Sequence, residues 1–354
     1  MDAGLLTGRI YLDHAATTPI LPEARVAMLE GMELWANPSS PHAAGRRARA
    51  LLENARSRIA QALDWDGSVI LTSGATEALA LAIHGKCAPV LASVVEHDAV
   101  LRHVPAECRI PVGADGIAIL PENIPVGALV AIQHVNSETG IIQPIAEFAE
   151  RVHAAGAYLL CDCSQSAGKL DLPLSADMIV LSAHKLGGPI GIGALLVRDL
   201  ALLVARGGQE QGYRAGTENL PAALGLAAAL TADPAWLEDI ARLRAGLDAA
   251  IVAAGGEIVG AGSPRLSTIS SYRMPGLDAR TQLVRFDLAG IAVSAGSACS
   301  SGSLRLGAVP IAMGWVEVAA SEVIRVSLGH GTTQGEIDAF LRAWQALATG
   351  TQKI

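Results

Sequence analysis

Cysteine is scarce in this chain: five residues in 354, an odd number with no paired CxxC spacing. Stability therefore does not come from a disulfide framework, and a reducing cytoplasm is the expected setting. Cys161 and Cys163 stand one residue apart, but two thiol ligands without a second pair do not make a metal site. Positive charge is in deficit. Lys+Arg total 26 against 34 Asp+Glu, a net charge of -8, which argues against nucleic acid or an anionic membrane as the main partner. No apolar run is long enough and free enough of polar residues to span a bilayer. Residues 1–5 show no basic start followed by an apolar core, so no secretory signal is expected. Internal repeats and low-complexity segments are also lacking.

The chain is rich in apolar residues, 51% of the total, enough for a full core and, at this length, roughly two domains. Short, nearly continuous apolar runs recur at 69–72, 90–95, 129–134, 158–162, 178–182 and 194–197, several of them separated by helical stretches. This is how strands buried on both faces read in a mainly parallel α/β sheet. Ahead of them, a short strand at Ile10-Tyr11-Leu12 leads to a polar turn and an amphipathic helix carrying Val26, Leu29 and Met32. Arg46, Arg47, Arg49, Arg56 and Arg58 alternate with Leu51, Leu52, Ile59 and Leu63 at helical spacing, which predicts the solvated face of a helix. Near Asp233-Pro234, a capping pair, the texture changes. Ile240, Leu243, Leu247 and Ile251 then mark a helix bridging two domains. Isolated strands at 266–269 and 323–326 follow, with helices between and after, as in a smaller α+β domain. The expected division is 14–235 for the large domain and 1–13 plus 236–354 for the small one.

Chemistry gathers at the strand ends. Leu181-Ser182-Ala183-His184-Lys185 follows an apolar run and leads into a glycine-rich turn through Gly193. Lys185 reads either as a lysine at a strand end on the surface or as a buried amine, with a depressed pKa, ready to form a Schiff base with a carbonyl cofactor. Thr72-Ser73-Gly74-Ala75-Thr76-Glu77 joins a strand to a helix; its small residues fit an anion site at a helix N-terminus, or simply a cap. Asp162 ends the 158–162 run, at the edge where open α/β sheets keep their ligands, and Gln165 can reach the same space. Strand alternation sends Cys161 and Cys163 to the opposite face, as packing residues. His97, alone a structural histidine, joins Thr76, Asp162, Ser182, His184 and Lys185 along one sheet edge. Cys299, in a loop of serines, glycines and alanines, reads as a reactive thiol, and Arg325 as an inward guanidinium able to grip a carboxylate with two hydrogen bonds.

Taken in order, these motifs closely resemble those of the cysteine desulfurases, pyridoxal-phosphate enzymes of aminotransferase class V with fold type I. The resemblance runs almost end to end. It rests on Tyr11-Leu12-Asp13-His14-Ala15-Ala16-Thr17-Thr18-Pro19, Asn37-Pro38-Ser39-Ser40 with His42, Ser73-Gly74-Ala75-Thr76-Glu77, Glu96-His97, Asp162 with Gln165, and Ser182-Ala183-His184-Lys185. Arg214-Ala215-Gly216-Thr217-Glu218-Asn219, Gly296-Ser297-Ala298-Cys299 and Ile324-Arg325-Val326-Ser327-Leu328-Gly329 complete it.

The resemblance implies a fold type I transferase with a mainly parallel seven-stranded sheet in the large domain, and pyridoxal 5'-phosphate as cofactor. Lys185 would hold the cofactor as a Schiff base and move the substrate's α-proton. Asp162 would pair with the pyridinium nitrogen, His97 stack on the ring, and Gln165 contact the phenolic oxygen. Ala75, Thr76, Ser182 and His184 would hold the phosphate, joined by Thr217 from a second subunit of a homodimer. Arg325 would hold the carboxylate of L-cysteine, and Cys299 would take its sulfur as a persulfide, releasing L-alanine. The sulfur would pass to an acceptor such as an iron–sulfur scaffold, or into thiolation. Asn136-Ser137-Glu138-Thr139-Gly140 stands where the family shows two asparagines, so Asn136 and Ser137 are candidate substrate-binding residues. Other activities on this fold, an aminotransferase or a selenocysteine lyase, and a non-catalytic sulfur carrier are the competing readings.

Overall fold

The computed structural model describes residues 8–298, 304–305 and 307–350. A two-residue strand β1 (Ile10–Tyr11) precedes the strands of the large sheet: β2 (Ser68–Thr72), β3 (Val90–Ser93), β4 (Arg109–Ile110), β5 (Leu129–Gln133), β6 (Tyr158–Asp162), β7 (Met178–Ser182) and β8 (Gly193–Val197). Their order is β2-β8-β7-β6-β5-β3-β4, and β8 runs antiparallel to both of its neighbours while the other pairs are parallel. The seven strands expected from the family resemblance are therefore present. The sixth run read from sequence begins one residue earlier, and the two-residue β4 carried no apolar run by which to recognise it.

The apolar strands are buried on both faces. Along β2, Val69 and Leu71 enter one core with Leu52 and Ile59, while Ile70 enters the other with Leu79 and Leu195. Residues alternate across a strand, so two layers of helices are needed to cover such a sheet. Cys161 and Cys163 lie on the first face with Leu159, as expected, with sulfurs 3.7 Å apart, and Leu160 lies on the second.

A second core surrounds a small antiparallel sheet of β9 (Glu257–Ile258), β10 (Ile269–Arg273) and β14 (Val323–Ser327). Strands β11 (Ile291–Ala292), β12 (Ser297–Ala298) and β13 (Leu304–Arg305) lie between, and β1 pairs with β11. Tyr272, Phe286, Phe340 and Trp344 fill this core, with Phe286 and Phe340 stacked at 5.0 Å. The strand expected at 266–269 begins only at Ile269. Leu266 donates its N–H to the Gly140 carbonyl and gives its own carbonyl to Arg244, so 266–268 form a turn. The helices Pro22–Glu33 (α1), Ala43–Ala62 (α2), Ala75–Ile83 (α3), Asp98–Leu101 (α4), Ile145–Ala154 (α5), Leu220–Leu230 (α6) and Trp236–Ala253 (α7) complete the parts needed below. Asp233 does cap the approach to α7, accepting from the Ala235 N–H, although the α-helix proper starts at Trp236.

Two helices depart from the pattern read in the sequence. On α1 the small residues Ala24 and Gly31 are buried, whereas Val26, Leu29 and Met32 are 55%, 53% and 55% exposed. The cause is close packing on α6: a Cβ on Gly31 would lie 2.7 Å from Pro221 Cα. Only small side chains fit there, and the larger ones turn outward. On α2, Arg56 is not a solvated residue. Its side chain is 12% exposed and pairs at 2.6 Å with Glu210, whose side chain is wholly buried and also accepts from the Leu71 N–H.

Candidate active site

The carboxyl ends of β6 and β7, the amino end of α3 and the inner face of β14 meet around a cavity of about 520 Å³, a volume typical of small-molecule sites. Its walls include Asp13, Ala75, Thr76, His97, Ser137, Asp162, Ser182, His184, Lys185 and Arg325. Residues separated by hundreds of positions thus share one space.

Lys185 enters on a short 3-10 turn, Ala183–Lys185, that follows β7 directly. The next strand returns through Gly193, which pairs with Ser182 on one side and Thr72 on the other. A Cβ at Gly193 would fall 2.5 Å from the Leu181 carbonyl and 2.8 Å from Gly74 Cα, so only glycine lets the lysine turn and the α3 turn approach this closely. Burial pushes the Lys185 pKa down; the Asp162 carboxylate opposes this and the Arg325 charge adds to it. Burial and the nearby Lys185 also hold His184 down to about 4, so it is neutral near pH 7.

The α3 terminus carries no side-chain cap: Gly74 occupies the cap position at φ +152°. Glu77 reaches back to accept from the Ser73 N–H and is held at 2.9 Å by Arg214. The first-turn N–H groups of Ala75 and Thr76 therefore lie at the cavity edge in a helix terminus whose dipole favours an anion. Of the two readings of this turn, capping by Thr72 or Ser73 does not occur.

Asp162 gives Oδ1 to the Ser164 N–H at 2.9 Å and to the Ser164 hydroxyl, and its Oδ2 has no hydrogen-bond partner among the described residues. Behind it, Glu96 is fully buried. Burial raises its pKa well above the usual carboxylate range; the Gln133 N–H works against this and the Asp162 charge adds to it. His97 caps α4 by accepting at Nδ1 from the Ala99 N–H at 3.0 Å, which places its proton on Nε2. Burial, with the Lys185 charge, keeps the ring neutral against the pull of Asp162 and Asp98.

Gln165 is buried; its Nε2 donates to the Ala15 carbonyl at 2.9 Å and its Oε1 has no partner among the described residues. Arg325 is buried on β14, with Nη1 donating to the Ser137 carbonyl at 2.9 Å, Nη2 to Asp13 Oδ1 at 2.7 Å, and a buried Nε without a partner. A free carboxylate acceptor, a buried guanidinium N–H and an uncapped helix terminus lie around one lysine. This set fits a cationic aromatic ring carrying a phosphate and a carbonyl carbon.

Two of the described residues marked in the sequence, Asn136 and Thr217, do not join this set. Asn136 lies outside the cavity: its Oδ1 accepts from the Glu138 and Thr139 N–H groups and the Thr139 hydroxyl, and its Nδ2 donates to the Val95 carbonyl. The amide is committed to its own turn. Thr217 is exposed and lines an adjoining cleft with Ser73 and Gly191. Cys299 lies outside the described residues. Conversely, the sequence reading passed over Ser164 and gave Asp13 no role. Ser164 stands two residues after an aspartate, the spacing of a side-chain turn, and could have been found; Asp13 meets Arg325 across 312 positions and could not.

Comparison with known proteins agrees with this geometry. The family model described as aminotransferase class-V matches residues 10–340. A cysteine desulfurase of Cereibacter sphaeroides is 38% identical, with 94% of each chain covered, and the IscS-like cysteine desulfurase of Mycobacterium tuberculosis is 36% identical, again over 94% of each. Among solved structures, a NifS-like protein from Rickettsia africae superposes with a TM-score of 0.86 at 30% identity, covering 97% of this chain and 99% of the other. With its seven-stranded sheet, its lysine turn and this kinship along nearly its whole length, the chain belongs to the aminotransferase class-V family, within the cysteine desulfurases.

Proposed function

We propose that this protein is a pyridoxal-phosphate-dependent cysteine desulfurase that converts L-cysteine to L-alanine and takes the sulfur as a persulfide on Cys299. The observation that carries this reading is Lys185, buried beside Asp162 in a cavity that also holds an uncapped helix terminus and an arginine. Ala75, Thr76, Ser182 and His184 would bind the phosphate, with Thr217 of the partner subunit added in a homodimer. The exposed stripe of Val26, Leu29 and Met32, with Trp35 89% exposed and Ile190 78% exposed, supports association with a second copy. Asp162 would keep the ring nitrogen protonated, and His97, neutral and fixed in one tautomer, would lie against the ring. Gln165 would reach the phenolic oxygen; this needs its amide nitrogen, which donates to Ala15 in the present arrangement.

Bound in this way, pyridoxal phosphate supplies an electron sink for the charge that develops when the substrate loses its α-proton. Lys185, whose pKa burial pushes down, would accept that proton and return one. Arg325 and Ser137 would orient the substrate through its carboxylate. The Cys299 thiolate attacks the substrate sulfur, the C–S bond breaks, and a proton replaces sulfur on carbon. One L-cysteine thus yields one L-alanine and one Cys299 persulfide. The sulfur then serves iron–sulfur assembly or thiolation through an acceptor protein in the cytoplasm. Among the described residues no helix is long and apolar enough to cross a membrane. We place the domain boundaries at 13/14 and 235/236, where β1 joins the second core and α7 begins.

The test combines an absorbance spectrum with a substitution. The purified protein should show a visible cofactor band that changes with L-cysteine, and Cys299→Ala should abolish sulfide release in the presence of reductant. Unchanged sulfide release from Cys299→Ala would sink the persulfide step.

A further inference from the structure

Arg325 presents an anomaly for a residue meant to receive a carboxylate: it already holds one. Asp13 Oδ1 accepts from Nη2 at 2.7 Å inside the cavity wall. The pair is rigidly set. The Tyr11 hydroxyl donates to the Asp13 carbonyl at 3.1 Å, Asp13 bridges to Ser327, and the Arg325 backbone exchanges hydrogen bonds with Ser294 in both directions. Arg325 keeps a buried, unpartnered Nε–H, so the guanidinium has capacity for a second anion without releasing the first. A second acid near Arg325 is Glu138, which burial, against the opposing Arg325 charge, pushes up to about 7. Asp13 is the carboxylate in direct contact with the guanidinium.

Resting on the reading above, we propose that Asp13 is a positioning residue for Arg325: an internal counterion that weakens the guanidinium's hold on the substrate's α-carboxylate. The physical reason lies in the reaction itself. L-cysteine and L-alanine carry the same carboxylate, so a stronger grip holds substrate and product alike and does not favour the transition state. A buried arginine without a counterion would bind any carboxylate tightly, because that carboxylate would be its sole compensation. With Asp13 present, an incoming carboxylate meets a pair of zero net charge and adds to it.

The experiment is a spectral titration of the cofactor-loaded enzyme with L-alanine, and with L-alaninamide, which has the same amine but no carboxylate. Asp13→Asn keeps an acceptor oxygen on Nη2 and removes the charge. L-alanine should then bind about tenfold more tightly while L-alaninamide stays within about twofold of wild type. The KM for L-cysteine should fall with no rise in kcat, and Asp13→Glu, which keeps the charge, should stay near wild type for both ligands. Weaker L-alanine binding in Asp13→Asn, or equal shifts for both ligands, would overturn the proposal. A wild-type protein without any visible band would instead remove the proposed function, and the role of Asp13 with it.

Discussion

Glu138→Gln should flatten part of the protein's pH–stability profile. Glu138 is buried in the turn beneath Arg325, and burial, opposed by that arginine's charge, raises its pKa from 4.5 to about 7. A carboxyl whose pKa is raised by folding stabilises the fold fully below its unfolded pKa. The contribution is lost as pH rises through 4.5 toward 7, because the unfolded chain releases the proton first. At about 1.4 kcal/mol per pKa unit, the loss between pH 5 and pH 8 comes to ~2.5 kcal/mol. At roughly 2.1 cal/mol/K of unfolding entropy per residue, that is ~3 °C in Tm for a chain of this length. Glutamine removes the titration and keeps the shape. Other groups titrate in or near the window, among them His14 and Lys169, which burial first and nearby positive charge second hold at about 4 and about 7. The quantity to measure is therefore the difference between variant and wild type by calorimetry at pH 5 and pH 8. The variant should gain ~3 °C on the wild type between the two. Parallel profiles would refute the reasoning, since they would mean that Glu138 is already ionised at pH 5.

Two further substitutions test the scaffold of the site. Glu210→Ala strips the acceptor from both Arg56 and the Leu71 N–H and should cost about 3 to 5 kcal/mol, read as a lower Tm; the Arg56→Met/Glu210→Ala double variant should recover part of it. An undiminished Tm in the single variant would show that the pair contributes nothing. Gly193→Ala drives a methyl into the Leu181 carbonyl and Gly74, so it should cost about 1 to 3 kcal/mol in thermal unfolding. The same change should weaken cofactor binding by about tenfold, measured by fluorescence titration of the cofactor-free protein, because it parts the lysine turn from the α3 terminus. Unaltered cofactor affinity would show that their close approach is not needed.

The sheet was legible because its strands are apolar on both faces, and once the strand ends were placed, His97, Asp162, Ser182 and Lys185 had to share an edge. Reading failed where polarity and burial part company. Ser270 and Ser271 hid the strand β10, although both are buried, with hydroxyls bonded to Asp248 and the Glu138 carbonyl. Arg56 looked solvated because its partner, Glu210, lies 154 positions away. The apolar residues of α1 looked like a core face because nothing local announces that α6 admits only small side chains.

The reversal of β8 has a kinetic consequence. Parallel neighbours in this sheet must be joined by long crossovers, whereas β7 and β8 pair Ser182 directly with Gly193 through the intervening turn. The entropy of closing so short a loop is small, so this hairpin can nucleate before the rest of the sheet condenses around it. Lys185 sits in that turn, so the reactive amine would be among the first groups to find its native neighbours as the chain folds, and the sheet would be assembled around its own chemistry.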